Sequence, residues 1–449
     1  MGNSYIIYNA QIVNEGKIYK GAVYISDGII KEIFTENVPS DLLVSVPSVD
    51  AGNNFLIPGV IDDQVHFRDP GLTYKGDIYT ESKAGIAGGV TSFMDMPNTK
   101  PQTITLDLLE EKFKAASEKA LANYSFYLGA TNDNYSELVN ADRSMVCGIK
   151  VFLGASTGNM LVDQPESLEK IFSIKDLPVA IHAEDEPTIR KNTLIYKERY
   201  GEDIPVECHP EIRSAEACYL SSSKAVELAK RLGTRLHVIH LSSAIEIDLF
   251  TNSIPLEQKQ ITTEVCVHHL WFDKRDYKRL GSLIKWNPAI KSEKDKLALM
   301  EGLLNNTLDI IATDHAPHTY EEKQNPYTSC PSGGPLVQHS LIAMLELSRE
   351  GKISITEVIN KMCHAPARCF RIEKRGFIRK GYFADMSIVN MNNEWTVSKD
   401  NILYKCGWSP FEGQKFHSKL THTFVNGRLV YENGVFHEEV KGSRLTFSR

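Results

Sequence analysis

Asp62-Asp63-Gln64-Val65-His66-Phe67-Arg68-Asp69-Pro70-Gly71 follows an apolar run that begins at Ile57, so it places polar side chains at the end of a predicted strand. Residues at positions i and i+2 of a strand point to the same side, so Gln64 and His66 share one face. Two imidazoles at these positions could hold one metal ion from that face. The Gln64 amide oxygen and the His66 imidazole are possible metal ligands on this face, and the amide is the weaker of the two.

This strand is the first of eight apolar, β-branched runs along the chain, each followed by a polar or helical stretch. The runs are Ile57–His66, Val90–Asp95, Tyr124–Ala130, Cys147–Leu153, Pro178–Ala183, Leu236–Leu241, Ile261–Val267 and Asp309–Asp314. Amphipathic helices are predicted between them, for example at Leu106–Lys119, Ser214–Arg231 and Glu293–Leu304. Alternating strands and helices build parallel sheets, and eight strands are what a closed barrel needs. We therefore predict an α/β fold with a (β/α)8 TIM barrel over residues 56–375.

The two chain ends have a different pattern. Tyr5–Phe34 and Ala384–Tyr431 indicate short strands, with turns at Asn14-Glu15-Gly16, Ser26-Asp27-Gly28 and Asn426-Gly427. Each end carries several strands that need hydrogen-bonding partners. We expect residues 1–55 and 376–449 to form one small β-sandwich-like domain, rather than two independent ends.

Candidate ligands follow five of the predicted strands, and barrel enzymes carry their chemistry at the carboxyl ends of strands. A single histidine at a strand end is more often a hydrogen-bonded structural residue, and a single lysine is usually solvated. Their joint occurrence at five strand ends indicates a metal site instead. The candidates are Gln64 and His66 on strand one, Lys150 on strand four, His182 on strand five, His240 on strand six and Asp314 on strand eight.

Three motifs carry a family resemblance. His66-Phe67-Arg68-Asp69-Pro70-Gly71, Met96-Pro97-Asn98 and Asp314-His315-Ala316-Pro317-His318 resemble motifs of the cyclic amidohydrolase branch of the amidohydrolase superfamily, and of class I-like dihydroorotases in particular. The resemblance covers nearly the whole chain. It implies a barrel that holds two zinc ions joined by a hydroxide and by a carbamylated lysine.

Carried over position by position, the resemblance implies that His66 and Asp314 bind the first zinc ion, that His182 and His240 bind the second, and that Lys150 is the bridge. Gln64 departs from the family pattern, which has a histidine there. The first site should therefore bind metal less tightly, and the enzyme could hold one zinc ion or two.

The resemblance also implies an activity, the reversible cyclisation of N-carbamoyl-L-aspartate to L-dihydroorotate in de novo pyrimidine biosynthesis. Asp314 would be the catalytic acid and base. Arg68 suits the carboxylate that stays outside the ring, because a guanidinium can form a bidentate pair with it. The resemblance adds Asn98, Asn287 and His318 as substrate contacts.

Alternatives stay open for Arg68, for His268-His269 and for the function. Arg68 could form a surface ion pair with Asp69 or Asp77. The adjacent histidines after strand seven suggest a further metal site, but neighbouring side chains on an extended segment diverge, so we interpret them as packing residues.

Two other functions compete with a dihydroorotase. The altered position 64 would suit a catalytically silent homologue that serves as a structural partner of aspartate transcarbamoylase. A hydrolase of another cyclic amide, such as allantoin or a hydantoin, is the third hypothesis. Retention of the other candidate ligands favours a working enzyme.

Composition limits the partners. The 449 residues carry a net charge of −7, which gives no basic footprint for nucleic acid or anionic lipid. No run approaches the roughly 20 apolar residues that span a bilayer, and no signal peptide is evident. The eight cysteines lack CxxC pairs, which favours reduced thiols. We expect a cytoplasmic protein with a small-molecule substrate, and the resemblance implies a homodimer.

Overall fold

The chain begins with five strands that belong to a sheet outside the barrel. The computed structural model describes residues 4–36, 38–154 and 160–449. The five strands are β1 (Tyr5–Asn14), β2 (Lys17–Ser26), β3 (Ile29–Phe34), β4 (Ser48–Asp50) and β5 (Phe55–Pro58). β1 pairs antiparallel with β2 and parallel with β4 and β5, and β2 pairs antiparallel with β3. The predicted turns at residues 14–16 and 26–28 join β1 to β2 and β2 to β3.

The next eight strands form the predicted barrel, in chain order and all parallel. They are β6 (Val60–Val65), β7 (Val90–Asp95), β8 (Asn123–Gly129), β9 (Gly148–Phe152), β10 (Val179–His182), β11 (Leu236–Val238), β12 (Ile261–Cys266) and β13 (Ile310–Ala312). The His66 N–H donates to the His315 carbonyl at 2.7 Å, which connects the last strand to the first. The predicted α/β barrel is therefore confirmed.

One predicted strand is divided. The run Ile57–His66 forms β5 in the outer sheet and β6 in the barrel, and the chain changes sheets at Gly59. A Cβ on Gly59 would lie 2.0 Å from the Thr91 hydroxyl oxygen, so only glycine fits there. Continuous apolar character hid this change of sheet, because both halves are buried.

The helices lie mostly between the strands. They are α1 (Ser40–Ser45), α2 (Ile78–Ala87), α3 (Leu106–Lys119), α4 (Tyr135–Asn140), α5 (Pro165–Phe172), α6 (Glu186–Tyr200), α7 (His209–Ile212), α8 (Ala215–Leu232), α9 (Val267–Trp271), α10 (Tyr277–Leu280), α11 (Glu293–Leu304), α12 (Tyr320–Lys323), α13 (Ser340–Arg349), α14 (Ile355–Ile359) and α15 (Ala365–Phe370). Side chains of Thr105, Ser214 and Ser292 cap α3, α8 and α11, the three helices predicted from sequence. No helix among the described residues has both the length and the apolar character that crossing a membrane requires.

The C-terminal strands complete the outer sheet. They are β14 (Met386–Asn390), β15 (Trp395–Thr396), β16 (Lys415–Phe416), β17 (Lys419–Val425), β18 (Arg428–Glu432) and β19 (Val435–Phe436). β14 pairs with β5 from the N-terminal end, so both ends form one nine-stranded sheet. The expected β domain built from both termini is confirmed. β15 and β16 form a separate pair.

A buried ion pair holds α3 against the end of β7. The Lys112 Nζ lies 2.5 Å from the Asp95 Oδ2, and the two side chains are 1% and 0% exposed. The other Asp95 oxygen accepts the Phe67 N–H at 2.7 Å. Because Phe67 lies between His66 and Arg68, the pair also fixes the loop that carries two candidate site residues.

We expect Lys112→Met to lower the free energy of unfolding by about 3–5 kcal/mol, because it leaves the Asp95 carboxylate buried without its cation. Urea denaturation followed by circular dichroism would measure this. Lys114→Met is the matched control, since Lys114 is exposed on the same helix and should change stability by less than about 0.5 kcal/mol. Equal losses in the two variants would contradict the assignment.

Candidate active site

The barrel gathers all six predicted ligand positions at the carboxyl ends of its strands. Five of the six are almost fully buried, and the His66 side chain is 11% exposed. Gln64 and His66 lie at the end of β6, Lys150 in β9, His182 at the end of β10, His240 just past β11 and Asp314 just past β13.

The first group centres on one oxygen of Asp314. Its Oδ1 lies 3.2 Å from the His66 Nε2 and accepts the Gln64 amide N–H at 3.1 Å. The Asn98 Oδ1 lies 2.8 Å from the His66 Nδ1 and can only accept, so Nδ1 carries the proton. The lone pair of Nε2 therefore faces Asp314, which is the tautomer that a metal ligand needs.

The second group is a pair of imidazoles. The His182 Nδ1 lies 2.9 Å from the His240 Nε2. The His182 Nε2 lies 2.8 Å from Glu184, which also accepts from Arg213 at 2.5 Å. Burial raises the pKa of Glu184, but Arg213 and His182 outweigh burial and lower this pKa to about 2. The Glu184 carboxylate is therefore charged and accepts the Nε2–H of His182. That leaves the His182 Nδ1 lone pair aimed at His240.

Lys150 lies between the two groups. Its side chain is 1% exposed, and its Nζ has no hydrogen-bond partner among the described residues. Burial lowers the pKa of Lys150 to about 7, although Glu264 and Asp314 favour its charged form. A buried amine without an acceptor is costly, so this position indicates a group that is not supplied by the chain.

These donors fit a metal centre. Burial lowers the pKa of both His182 and His240, which keeps the two rings neutral and able to bind a cation. The His240 Nδ1 and the Lys150 Nζ are buried and have no partner within the described ranges. The His182 Nδ1 and the His240 Nε2 face each other. Imidazole nitrogens together with a carboxylate are ligands that zinc accepts.

Three of the predicted site residues have an unusual backbone conformation. Arg68, His240 and Asp314 have φ angles of 68°, 42° and 47°, which L residues other than glycine rarely adopt. Such angles cost roughly 1–3 kcal/mol each and concentrate at functional sites. Each follows the end of a barrel strand, where the chain turns its side chain toward the site.

A pocket lined by positively charged side chains lies next to the first group. Arg68 is 7% exposed; its Nε donates to the Pro317 carbonyl at 3.0 Å, and its Nη2 lies 3.0 Å from the His318 Nε2. The Lys75 Nζ lies 2.9 Å from the His318 Nδ1 and 2.9 Å from Glu322. The Ser332 carbonyl oxygen also lies 3.1 Å from the His318 Nε2. Within the described part of the chain the Arg68 Nη1 makes no hydrogen bond, so its N–H groups can meet an anion.

The predicted surface ion pairs of Arg68 are not formed. Asp69 pairs with Lys119 at 2.8 Å and Asp77 with Lys405 at 2.7 Å. The remaining substrate candidate, Asn287, follows Trp286, whose indole N–H donates to the Asp314 carbonyl at 3.2 Å. The Asn287 Oδ1 is buried and has no partner among the described residues.

The prediction that the His268 and His269 side chains diverge is wrong. They lie in α9 and not on an extended segment, so their rings do not diverge and their centroids are 4.1 Å apart. Their packing role stands on other contacts. His268 stacks on Trp286 at 4.5 Å, and the His269 Nε2 lies 3.2 Å from the Pro288 carbonyl. In the part of the chain that the structure describes, they and Cys266 form one of two clusters whose ligand atoms lie within 4.8 Å of one another.

Sequence reasoning missed the supporting charges beneath the site. Asp63, His237 and Glu264 form the other cluster of close ligand atoms, and all three are at most 1% exposed. Glu264 also accepts the His240 N–H at 3.1 Å. Glu184 could have been found, because it lies two residues after His182 on the same strand face. Lys75 lies in a loop and gave no periodic signal.

Comparisons with known proteins agree on one family. Residues 55–430 match the model of the amidohydrolase family. The curated dihydroorotase of Pyrococcus furiosus is 33% identical over 445 residues, which cover 97% of this chain and 96% of that protein. The dihydroorotase of Thermococcus kodakarensis is 31% identical over 443 residues and 98% of each chain.

Solved structures show the same fold. An L-hydantoinase (dihydropyrimidinase) from Arthrobacter aurescens is 25% identical and superimposes with a TM-score of 0.91, covering 98% of this chain and 99% of that one. A dihydropyrimidinase from Brevibacillus agri is 24% identical with a TM-score of 0.88, covering 99% of this chain and all of that one. The second likeness supports the fold alone.

We expect Gln64→His to raise the zinc that the protein retains after dialysis, because imidazole binds zinc better than an amide oxygen. Zinc-to-protein ratios from mass spectrometry would measure this, with about one more ion retained at the same free zinc concentration.

His240→Asn should lower zinc affinity at least tenfold, on the order of a lost ligand contact. His339→Asn is the control, since His339 is equally buried but contacts Tyr404 outside the site. Unchanged zinc in Gln64→His would contradict the role of position 64.

Proposed function

Because this chain belongs to the amidohydrolase family, we propose that it is a metal-dependent dihydroorotase, a cyclic amide hydrolase that interconverts N-carbamoyl-L-aspartate and L-dihydroorotate. The observation that carries the proposal is one buried site in which metal-ligand side chains adjoin an arginine with free N–H groups. Near full-length similarity to curated dihydroorotases supports the same substrate. De novo pyrimidine biosynthesis is the pathway that this activity would serve.

Zinc is the proposed metal. His182 and His240 would hold one ion, and His66, Asp314 and the weaker Gln64 would hold the other. When bound, zinc lowers the pKa of water and polarises a carbonyl oxygen. The unpartnered Lys150 amine between the two groups supports a carbamate as their bridge.

Lys150 is suited to carbamylation. A pKa of about 7 leaves an appreciable neutral fraction at neutral pH. The neutral amine is the form that bonds to the carbon of carbon dioxide, and it loses one proton to give a carbamate. The carbamate turns a costly buried cation into an anion that cations can pair with.

Asp314 is the proposed proton carrier. Its carboxylate would accept a proton from the water that attacks the ring carbonyl carbon. It would return that proton to the ring nitrogen as the carbon–nitrogen bond breaks. In the opposite direction the ureido nitrogen attacks the side-chain carboxyl carbon and water leaves. The hydrogen bond that Gln64 donates keeps one carboxylate oxygen in place, 3.2 Å from the His66 Nε2.

The cationic pocket supplies specificity. Arg68 would bind the carboxylate outside the ring, with two parallel N–H donors matched to its two oxygens. His318 separates Arg68 from Lys75, and Lys75 is paired with Glu322, so Arg68 supplies the charge that an acid would meet. Hydantoins are neutral rings and do not need these charges.

We expect zinc-loaded protein to hydrolyse L-dihydroorotate, and Lys150→Ala to lower kcat/KM at least about 100-fold, because the groups that Lys150 joins lose their bridge. Ring opening followed by absorbance would measure both, on samples of known zinc content. Lys361→Ala is the matched control, since Lys361 is equally buried but hydrogen-bonds Asn306 and Leu308 away from the site.

Absence of hydrolysis above the Lys150→Ala level would reject the proposed function. An inactive protein that co-purifies with aspartate transcarbamoylase would favour the silent structural partner, which the glutamine at position 64 motivates.

The hydantoinase-like fold motivates a second candidate, hydrolysis of a neutral cyclic amide. Arg68→Ala separates the two. For dihydroorotate it should cost about 2–5 kcal/mol of transition-state binding, or roughly 30-fold or more in kcat/KM, because a buried charge loses its partner. Hydantoin hydrolysis by the same variant should be unchanged. If hydantoin is the better substrate and Arg68→Ala leaves its rate intact, the acidic substrate is wrong.

A further inference from the structure

The amino end of the barrel, opposite the candidate active site, carries three neighbouring arginines. We name Arg235, Arg371 and Arg449 the arginine cluster. Arg235 directly precedes β11, and its carbonyl accepts the Val179 N–H at the start of β10. The Arg449 Nη2 donates to the Cys147 carbonyl at 2.7 Å, just before β9. Arg371 follows the end of α15.

Two of the three arginines have unused hydrogen-bond donors, although the Arg235 Nη2 donates to the Cys369 carbonyl at 3.0 Å. The Arg235 Nη1 and the Arg449 Nε and Nη1 are buried and have no acceptor among the described residues. Nearby carboxylates are already paired with other cations: Asp176 with Arg143 at 4.0 Å, Glu257 with Arg368 at 3.2 Å and Asp309 with Lys259 at 2.6 Å. Buried N–H donors without acceptors are rare and costly, so an acceptor from outside the chain is indicated.

The like charges also oppose one another. Burial, together with the charges of Arg235 and Arg371, lowers the pKa of Arg449 to about 10. Burial and the Arg371 charge lower the pKa of Arg235 in the same way. Three cations that repel each other at close range gain stability when an anion binds between them.

The cluster lines a cleft of about 500 Å³. That volume is within the usual range for small-ligand sites. Every lining residue is charged, polar or glycine. Lys175, Arg143 and Lys259 join the arginine cluster, so six cations outnumber the two carboxylates of the wall, Asp176 and Glu257. Such a wall suits a small, strongly charged anion and offers no aromatic or aliphatic surface for an apolar ligand.

We propose that the arginine cluster binds the phosphate group of a small molecule, either inorganic phosphate or the phosphate end of a nucleotide. Guanidinium groups match phosphate oxygens through paired N–H donors, and three forks can surround one tetrahedral anion. Arg235 and Arg449, which carry the free donors, lie beside the starts of β9, β10 and β11. Lys150, His182 and His240 lie in or just past the same three strands. This site does not rest on the proposed catalytic function, because it lies at the other end of the barrel.

The test is isothermal titration calorimetry at constant ionic strength, with inorganic phosphate, pyrophosphate and ATP as separate probes and succinate as a carboxylate probe. Saturable binding of one equivalent of a phosphate compound is expected, with weaker binding of succinate. Arg371→Gln and Arg449→Gln should each weaken it at least about tenfold, the usual effect of losing one charged hydrogen bond. Arg428→Gln is the matched control, since Arg428 is exposed on β18 in the outer sheet.

Thermal unfolding gives a second readout. Phosphate should raise the unfolding temperature of the unmodified protein and of Arg428→Gln, but not of Arg371→Gln. Without phosphate, Arg371→Gln should be no less stable than the unmodified protein, because one repelling charge is gone. Failure to bind any phosphate compound at millimolar concentration, equal affinity in Arg371→Gln, or tighter binding of succinate would each overturn the proposal. Preference for phosphate over ATP would identify the free ion as the ligand, and the reverse would identify a nucleotide.

Discussion

Closure of the barrel between its first and last strands is the constraint on which the candidate site depends. The Thr313 hydroxyl donates to the Asp62 carboxylate at 2.6 Å, and the His66 N–H donates to the His315 carbonyl. These bonds place the ends of β6 and β13 side by side. Gln64 and His66, which are far from Asp314 in sequence, then both lie next to one carboxylate oxygen of Asp314. Without closure, the first group of candidate ligands would not exist.

Closure also has an electrostatic cost, because it buries many ionisable groups together. Most of them are compensated within the chain: Lys112 pairs with Asp95, and Glu184 lies between His182 and Arg213. Among the described residues, buried polar atoms without a partner occur at both ends of the barrel and also elsewhere in the fold. Lys150 and His240 carry such atoms at the carboxyl end of the barrel, and Arg235 and Arg449 carry them at its amino end. At these two places the unpaired atoms coincide with a group of candidate ligands or with a cleft, and it is this coincidence that indicates a site.

Much of this organisation could be predicted from sequence, because the signals were strong and local. Eight apolar strands with capped helices between them define the barrel, and a ligand at a strand end must face the same opening. Contacts between distant residues could not be predicted in this way. Nothing in the loop around Lys75 indicates that it reaches His318, and the change of sheet at Gly59 is hidden within one apolar run. The prediction that the His268 and His269 side chains diverge was wrong because it assumed an extended segment, whereas both residues lie in the short helix α9.

The outer sheet joins the two ends of the chain through the pairing of β5 with β14. During synthesis on the ribosome, β1 to β5 emerge first, and β14 emerges only after the whole barrel. Until then the open edge of β5 lacks its partner, and exposed strand edges promote association between chains. The outer sheet can therefore be completed only after the whole barrel has been synthesised, and a nascent chain interrupted within the barrel still exposes the β5 edge.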